Sequence, residues 1–178
     1  MPENFLKINS DNKLEIYSLL IPQIENLLTK ENKLVSNLSN LTALIYHSLP
    51  NLNWVGFYIA DSNKLFLGPF QGKVACTYID FGKGVCGTSA IKKETIIVPD
   101  VYKFEGHIFC DSDSKSEIVV PIIINNIVWG VLDIDSFVFN NFDELDKKFL
   151  EQIIEKLSHL IKENELFSNS SKVASSTI

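Results

Sequence analysis

The sequence predicts an α+β fold in which helices flank an antiparallel β-sheet of about six strands. Apolar residues recur at helical spacing near both ends of the chain, whereas the middle consists of short β-branched and aromatic runs. The turn formers Asp61-Ser62-Asn63 and Asn125-Asn126 each separate two such runs, so we expect consecutive strands to form hairpins. Hairpins build an antiparallel sheet, and the helices are then expected to gather on one side of it.

Two amphipathic helices are predicted within residues 11–49. In the first, leucines and isoleucines from Leu14 to Leu28 recur at near-helical spacing, and Pro22 favours a kink or a break. The second helix is expected to end before Pro50. Its apolar face repeats every three or four residues, at Leu34, Leu38, Leu41 and Ile45.

Residues 50–140 are expected to hold the sheet and its loops. The extended runs are WVGFYIA, KLFLGPF, VACTYI, TIIV, EIVVPIII and IVWGVLDIDSF. The segment FGKGVCG is too rich in glycine for a strand interior, and we expect a turn there that opens a short helix. Residues 99–116 are predicted to form a long loop, and loops of more than about 12 residues inside compact domains are usually functional.

A final helix is predicted over residues 143–164, with Asp143 as its N-cap. Phe142, Leu145, Phe149, Ile153 and further apolar residues trace its buried face. The polar residues 166–178 are expected to be disordered. The sequence therefore predicts one domain over residues 1–165.

Composition excludes several classes of function. The chain has 178 residues, 46% hydrophobic and 21% charged, which suits a single globular domain. All of its basic residues are lysines and the net charge is −6, so nucleic acid and anionic membranes are not expected partners. We see no signal peptide and no apolar stretch of the ~20 residues that a membrane span needs. The odd number of cysteines makes a poor disulfide framework, and we expect a cytoplasmic protein.

All three cysteines, Cys76, Cys86 and Cys110, fall on predicted loops or loop edges. A free cysteine is most often a small buried hydrophobic residue, but three in one loop-rich region favour redox chemistry. Cys86 lies where a helix is expected to open, and Cys110 follows His107. A thiol near a helix N-terminus or an imidazolium has a lowered pKa and is more nucleophilic. His107 itself could serve as a base, as a ligand or as an ordinary loop histidine, and we favour the last interpretation.

A zinc site made by the three cysteines and His107 is an alternative, since Cys3His sets bind zinc. The sequence lacks the Cys-x2-Cys knuckle that is typical of such sites, so we expect no metal. The glycines of FGKGVCG make no dinucleotide fingerprint, and we expect no bound cofactor.

Asp133 and Asp135 share one face of a strand that is otherwise apolar, because residues i and i+2 of a strand point the same way. If they are buried, desolvation and mutual repulsion raise at least one carboxyl pKa towards neutrality. If the strand end is solvated, they merely line a surface. Trp54, Gly56 and Tyr58 share a face by the same rule, with the glycine leaving space between two aromatic walls for a ligand that carries an ammonium group.

The blocks NWVGFYI, LGPFQGKVAC, FGKGVCGTSA, VPDVYKFEGHIFCDSDSKSEIVVP and GVLDIDS resemble the free methionine-(R)-sulfoxide reductases, a family built on a single GAF domain. They follow one another in the family's order over roughly residues 50–155. The resemblance implies a GAF-like antiparallel sheet with the terminal helices packed on one face and the active-site loops on the other. It also implies a homodimer.

The resemblance implies a role for each matching residue. Cys110 corresponds to the catalytic nucleophile, Cys76 to the resolving thiol, and Cys86 to a third or alternative thiol. Substrate binding is implied for Trp54 and Tyr58. The carboxyl groups of Glu117, Asp133 and Asp135 are implied to lie at the sulfoxide and the amino group of the substrate and to take part in catalysis.

These readings agree on one reaction, the reduction of free L-methionine-(R)-sulfoxide to methionine. The Cys110 thiolate is expected to attack the sulfoxide sulfur while Glu117 or one of the aspartates protonates the departing oxygen. The resulting sulfenic acid is expected to condense with Cys76 or Cys86. Thioredoxin, kept reduced by its NADPH-dependent reductase, is the implied external reductant, and loop 99–116 the implied lid.

The competing interpretation is a stand-alone GAF sensor of a cyclic-nucleotide-like small molecule. The segment Asn140-Asn141-Phe142-Asp143-Glu144 resembles the NKFDE signature of cyclic-nucleotide-binding GAF domains. Its simpler interpretation is the N-cap of the last helix.

Overall fold

The computed structural model describes residues 6–108 and 110–174, with side chains described through Glu163. Within these ranges the helices are α1 Lys13–Leu27, α2 Leu34–Ser48, α3 Gly84–Lys92 and α4 Glu144–Ala174. A single 3₁₀ turn, Val101–Lys103, lies between β4 and β5. The strands are β1 Leu52–Asp61, β2 Lys64–Gly72, β3 Tyr78–Asp80, β4 Ile96–Val98, β5 Ser116–Ile124 and β6 Ile127–Ser136.

The strands form one antiparallel sheet in the order β3-β2-β1-β6-β5-β4. Asn125 and Asn126 join β5 to β6 with positive φ angles of 50° and 64°, as a type I′ hairpin turn requires. Ser62 joins β1 to β2 with a φ of 56°. The predicted α+β fold with an antiparallel, hairpin-built sheet is confirmed.

One face of the sheet carries the terminal helices. Tyr17 and Leu20 of α1, Leu41 of α2 and Leu157 of α4 are fully buried with Phe57 of β1 in one apolar cluster. This cluster removes the apolar stripe of each helix from water, which is the dominant favourable term in folding. The predicted placement of the terminal helices is confirmed.

The opposite face carries α3 and the loops that follow β2 and β4. Trp54, Tyr58, Cys86 and Val131 are buried there in a second, smaller cluster. Helix α3 approaches the sheet edge closely, because a Cβ added at Gly87 would lie 2.3 Å from the carbonyl oxygen of Asp80. Glycine is therefore required at this position, and the short predicted helix is fixed against β3.

Two elements differ from their predictions. Pro22 neither breaks nor ends α1, which continues to Leu27 because the buried Leu20 and Ile24 hold both sides of the proline against the core. The predicted strand VACTYI is reduced to β3, Tyr78–Asp80. The residues before Tyr78 are not part of the strand, because Cys76 is held by its disulfide to Cys110 and by a hydrogen bond from Tyr58.

Helix α4 also differs, since it continues to Ala174 and not to the predicted residue 164. No glycine or proline occurs between residues 144 and 174, so no residue interrupts the backbone hydrogen bonding. Part of the predicted tail is thus helical, and residues 175–178 lie outside the described residues. Oδ1 of Asp143 accepts hydrogen bonds from the backbone N–H groups of Leu145 and Asp146, as the predicted N-cap does. In the part of the chain that the structure describes, every helix is too short or too polar to cross a bilayer.

Candidate active site

The sheet register places the predicted polar residues in one patch. β1 pairs Trp54 with Asp135, and β5 pairs Glu117 with the same aspartate. The next row pairs Gly56 with Asp133. Side chains of directly opposite residues project from the same face, so both aspartates meet Glu117 and the indole on the face that carries α3.

The carboxyl groups of this patch are buried. Glu117 and Asp133 are only 5% and 7% exposed, which excludes the solvated interpretation of Asp133. Burial raises the pKa of both groups well above the ordinary range, and the charge of the other carboxyls raises it further. The pKa of Asp135 is also raised, first by burial and then by the charge of Asp133. These carboxyl groups can therefore hold protons near neutral pH.

Asp133 lacks one contact that a buried carboxyl normally makes. Its Oδ1 atom is buried and has no hydrogen-bond partner among the described residues. Such an atom costs free energy in the ligand-free protein, because it has lost its water without gaining a donor. A ligand that carries hydrogen-bond donors would remove this cost.

Trp54 and Tyr58 form one continuous aromatic wall, and the open gap predicted between them is wrong. A Cβ added at Gly56 would lie 2.2 Å from Cη2 of Trp54, so the indole itself fills the space above the glycine. The Trp54 ring stacks between Phe70 and Tyr58, with centroid distances of 5.5 and 5.9 Å. The recess lies beside this wall.

Both rings also hold the segment that follows β2. Nε1 of Trp54 donates to the carbonyl oxygen of Lys73 at 3.1 Å, and the hydroxyl of Tyr58 donates to the carbonyl oxygen of Cys76 at 3.0 Å. Burial raises the pKa of Tyr58 strongly, so its hydroxyl remains a donor. The aromatic wall therefore fixes the backbone of Cys76.

Cys76 and Cys110 are joined by a disulfide, with their Cα atoms 5.6 Å apart. The bond links the segment after β2 to the loop before β5. Ion pairs between Lys73 and both Asp111 and Asp113 join the same two segments. The pairing implied by the family resemblance is thus present.

Cys86 is a free, buried thiol in the first turn of α3. Burial raises its pKa well above the ordinary range and the charge of Asp133 raises it further, so the lowered pKa expected near a helix N-terminus is wrong here. Its sulfur and single carboxylate oxygens of Glu117 and Asp133 lie within 4.8 Å of one another, a group that could hold a metal ion. The alternative Cys3His zinc set is not assembled, because two of its sulfurs form the disulfide.

His107 is the residue that sequence reasoning undervalued. Its Nε2 lies 3.0 Å from Oε2 of Glu117, and both side chains are buried. The spacing in the chain gave no signal for this contact, because the two groups are ten positions apart along the chain. Asn53 was missed as well: its Nδ2 donates to Oδ2 of Asp111 at 3.1 Å and to the hydroxyl of Ser114 at 2.9 Å.

The patch, α3 and the loop that carries Cys110 enclose a small recess of about 40 Å³, room for a few water molecules. Its polar lining includes predicted and missed residues alike. Cys76 adjoins the recess through its bond to Cys110. The residues that line it include Trp54, Tyr58, Cys86, His107, Cys110, Asp111, Ser114, Glu117, Asp133 and Asp135.

The segment 140–144 that resembles a nucleotide signature lies on the other face of the sheet. Phe142 belongs to the core with α1 and α4. Asp143 caps α4, and Lys13 of α1 binds it at 2.8 Å. These contacts are those of a helix N-terminus, which is the simpler of the two interpretations.

Comparison with known proteins gives a consistent result. The GAF domain model matches residues 34–161. The free methionine-R-sulfoxide reductase of Saccharomyces cerevisiae is 51% identical over 88% of this chain and 89% of its own length. GAF domain-containing protein A of Dictyostelium discoideum is 52% identical over 86% of this chain and 98% of its own. A structure of the Neisseria meningitidis free methionine-R-sulfoxide reductase in complex with its substrate is 39% identical, with a TM-score of 0.87 over 91% of this chain and 98% of that one.

Each match covers most of both chains, so the similarity concerns the whole domain and not a fragment. It includes the sheet, the terminal helices and the loops that build the recess. On sequence and fold together, the chain belongs to the GAF domain family and, within it, to the free methionine-R-sulfoxide reductases.

Proposed function

We propose that this protein reduces free L-methionine-(R)-sulfoxide to L-methionine with its own cysteines. The observation that carries the proposal is the Cys76–Cys110 disulfide beside a recess lined by buried, protonatable carboxyl groups. A disulfide in that place is the expected product of one catalytic turnover. The relatives named free methionine-R-sulfoxide reductase support the same reaction.

In the first step, the thiolate of Cys110 attacks the sulfoxide sulfur. The sulfur–sulfur bond formed by this attack and the sulfur–oxygen bond of the substrate both break as the oxygen passes to the sulfur of Cys110. The substrate sulfur thereby gains two electrons and the cysteine becomes a sulfenic acid. The departing oxygen needs a proton, and Glu117, whose pKa burial raises, holds one near neutral pH. Asp133 and Asp135 are the alternative donors.

In the second step, the thiol of Cys76 attacks the sulfenic sulfur of Cys110. The new disulfide forms as a water molecule leaves, and the enzyme has then given up two electrons. Cys76 is favoured over Cys86 as the resolving thiol because it is within bonding distance of Cys110, whereas the pKa of buried Cys86 is raised and its thiolate is disfavoured.

The recess can bind the ammonium group of a free amino acid. Oδ1 of Asp133 has no hydrogen-bond partner among the described residues, and an ammonium group would supply one. The wall of Trp54 and Tyr58 offers an apolar surface to the methyl and methylene groups. The recess of the disulfide form has room only for waters, so substrate enters after reduction, when loop 99–116 can move.

The reductant, the assembly and the compartment are further parts of the proposal. The disulfide is partly exposed, which leaves it open to exchange with a dithiol protein such as thioredoxin. A reducing cytoplasm would supply that partner. The exposed aromatic residues Tyr102, Phe137 and Phe139 offer a surface for a homodimer, which light scattering of the purified protein would measure.

A single-turnover experiment tests the reaction without assuming a reductant. The fully reduced protein is mixed with the free R epimer, the free S epimer or a peptide-bound sulfoxide, and methionine and remaining thiols are counted. We expect about one methionine formed and two thiols lost per chain with the free R epimer. Repeated turnover with an excess of the sulfoxide should then require thioredoxin, its reductase and NADPH.

Cysteine variants separate the roles of the thiols. We expect Cys110→Ser to form no methionine, and Cys76→Ser to form one equivalent while accumulating a sulfenic acid that dimedone traps. Unchanged turnover in Cys110→Ser would refute the mechanism. No methionine from any sulfoxide with the reduced, metal-free protein would refute the proposed function and favour a ligand sensor.

A further inference from the structure

His107 links the loop that carries Cys110 to the sheet that carries the acid. It lies three residues before the cysteine, and its Nε2 is 3.0 Å from Oε2 of Glu117 at the start of β5. The two side chains are only 6% and 7% exposed. A hydrogen bond between two such buried groups restrains both, because breaking it leaves polar atoms without water.

The other groups that face Glu117 lie on the sheet or on α3. They are Asp133 and Asp135 on β6, Cys86 on α3 and Tyr58 on β1. Asp133 also shares a hydrogen bond with Glu117, but none of the four belongs to the loop that carries Cys110. Among the described groups around Glu117, the imidazole of His107 is the one that belongs to that loop.

The protonation states fit a neutral pair. Burial raises the pKa of Glu117, and burial lowers the pKa of His107. Both shifts favour a protonated carboxyl beside a neutral imidazole. The contact between Oε2 of Glu117 and Nε2 of His107 therefore restrains the orientation of the carboxyl plane.

We propose that His107 is a positioning residue of the reaction: through its contact with Glu117 it orients the acid and holds the Cys110 loop over it. The inference rests on the proposed function. It makes the positions of the acid and of the nucleophile depend on one contact. Misplacement of a reacting group by about 1 Å can cost on the order of 100-fold in rate.

The test compares His107→Ala with His107→Gln in the reduced protein. The amide nitrogen of glutamine reaches about as far from Cβ as Nε2 of histidine, so it can keep the hydrogen bond without keeping the ring. Exposed His159 on α4 provides the matched control, His159→Ala. The readouts are the single-turnover rate of methionine formation at saturating substrate, the substrate concentration at half-maximal rate, and Tm.

We expect His107→Ala to lower the saturating rate by about 10- to 100-fold, and His107→Gln to restore it to within about fivefold of the wild type. His107→Ala should also have the lower Tm of the two, because it removes the buried partner of Oε2 of Glu117, and the rates are therefore compared well below both Tm values. His159→Ala should behave as the wild type. A purely structural role would lower Tm and leave the saturating rate of the folded variants unchanged.

Two results would overturn the inference while leaving the proposed function intact. One is a wild-type rate in His107→Ala. The other is an equal loss in the alanine and glutamine variants. Failure of the wild-type protein to form methionine is a separate result, and it would contradict the proposed function itself.

Discussion

At the scale of one residue, Asp133 offers a binding group that makes the ligand-free protein less stable. The carboxyl is 7% exposed, and its Oδ1 has no hydrogen-bond partner among the described residues. Burial together with the charge of Glu117 raises its pKa well above 3.8. Between its unfolded and folded pKa values, the folded state binds more protons than the unfolded state. The free energy of unfolding therefore falls as pH rises through that window.

We predict that Asp133→Asn makes the substrate-free protein more stable and less active. Asparagine carries no charge at any of these pH values. It therefore avoids the decrease in the free energy of unfolding that the buried aspartate causes when the pH exceeds its unfolded pKa. Tm should rise by about 2–6 °C at pH 8, and the difference should shrink towards pH 4. The kcat/KM for methionine sulfoxide should fall by about 100-fold, because the partner of the substrate ammonium group is lost.

Exposed Asp11, whose carboxyl lies outside the site, provides the control Asp11→Asn. Thermal unfolding of the disulfide form at several pH values measures the first effect and steady-state kinetics the second. A Tm gain that stayed constant with pH would argue against a raised pKa at Asp133.

At the scale of the elements, the end of β2 and the loop before β5 are joined by more than the disulfide. Lys73 pairs with Asp111 at 3.3 Å and also with Asp113. The side-chain amide of Asn53 on β1 also donates a hydrogen bond to Asp111. These contacts join the same two segments as the sulfur–sulfur bond, so we expect them to favour its formation.

We predict that Lys73→Ala slows disulfide formation after the sulfoxide has been reduced. Methionine formation should be nearly unchanged, whereas closure of the Cys76–Cys110 bond should slow by about two- to fivefold, as suits a pair whose lysine is largely exposed. Quenched-flow alkylation with mass analysis separates the two steps. Lys64→Ala, which removes a surface pair with Asp80 at the far end of β2, is the control. Equal closure rates in both variants would rule out the ion pairs as an aid to closure.

At the scale of the whole molecule, the redox state of one bond changes the stability of the fold. The disulfide joins residues 34 apart in sequence, across α3 and β4. Closing a loop of that length lowers the entropy of the unfolded chain, which corresponds to about 3–4 kcal/mol in the chain-entropy treatment. Catalysis therefore cycles the protein between a more stable oxidised form and a less stable reduced form.

We predict that reduction lowers Tm by about 5–15 °C. Calorimetry of the protein with and without a non-thiol reductant measures this difference. Cys110→Ser should show one Tm in both conditions, because it cannot form the bond. A shift of the same size in that variant would mean that reduction acts elsewhere.

The fold was accessible from the sequence because its signals are local. Hairpin residues such as Asn125 and Asn126, the apolar stripes of the terminal helices and the Asp143 cap each act over a few residues. At Pro22, packing prevailed over a local signal, since α1 passes through the proline because its flanking residues are buried. Helix α4 continues past residue 164 for a different reason, because no glycine or proline interrupts it.

The chemistry of the site was only half accessible in this way. Alternation along a strand placed Asp133 with Asp135, and the motif blocks pointed to Cys76 and Cys110. The rest depended on contacts across the chain. The indole fills the space above Gly56, and burial, together with the charge of nearby carboxylates, reverses the expected pKa shift of Cys86.

The sequence by itself determined most of the secondary structure, the class of fold and the residue types that carry the chemistry, because periodicity, turn formers and motif order are local properties. The tertiary structure alone decided which side chains meet. The contact between His107 and Glu117 joins residues ten positions apart, and the pKa shifts of the carboxyl groups require the burial that only the folded domain provides. Distance and burial are properties of the folded chain, so no pattern of neighbouring residues could encode them.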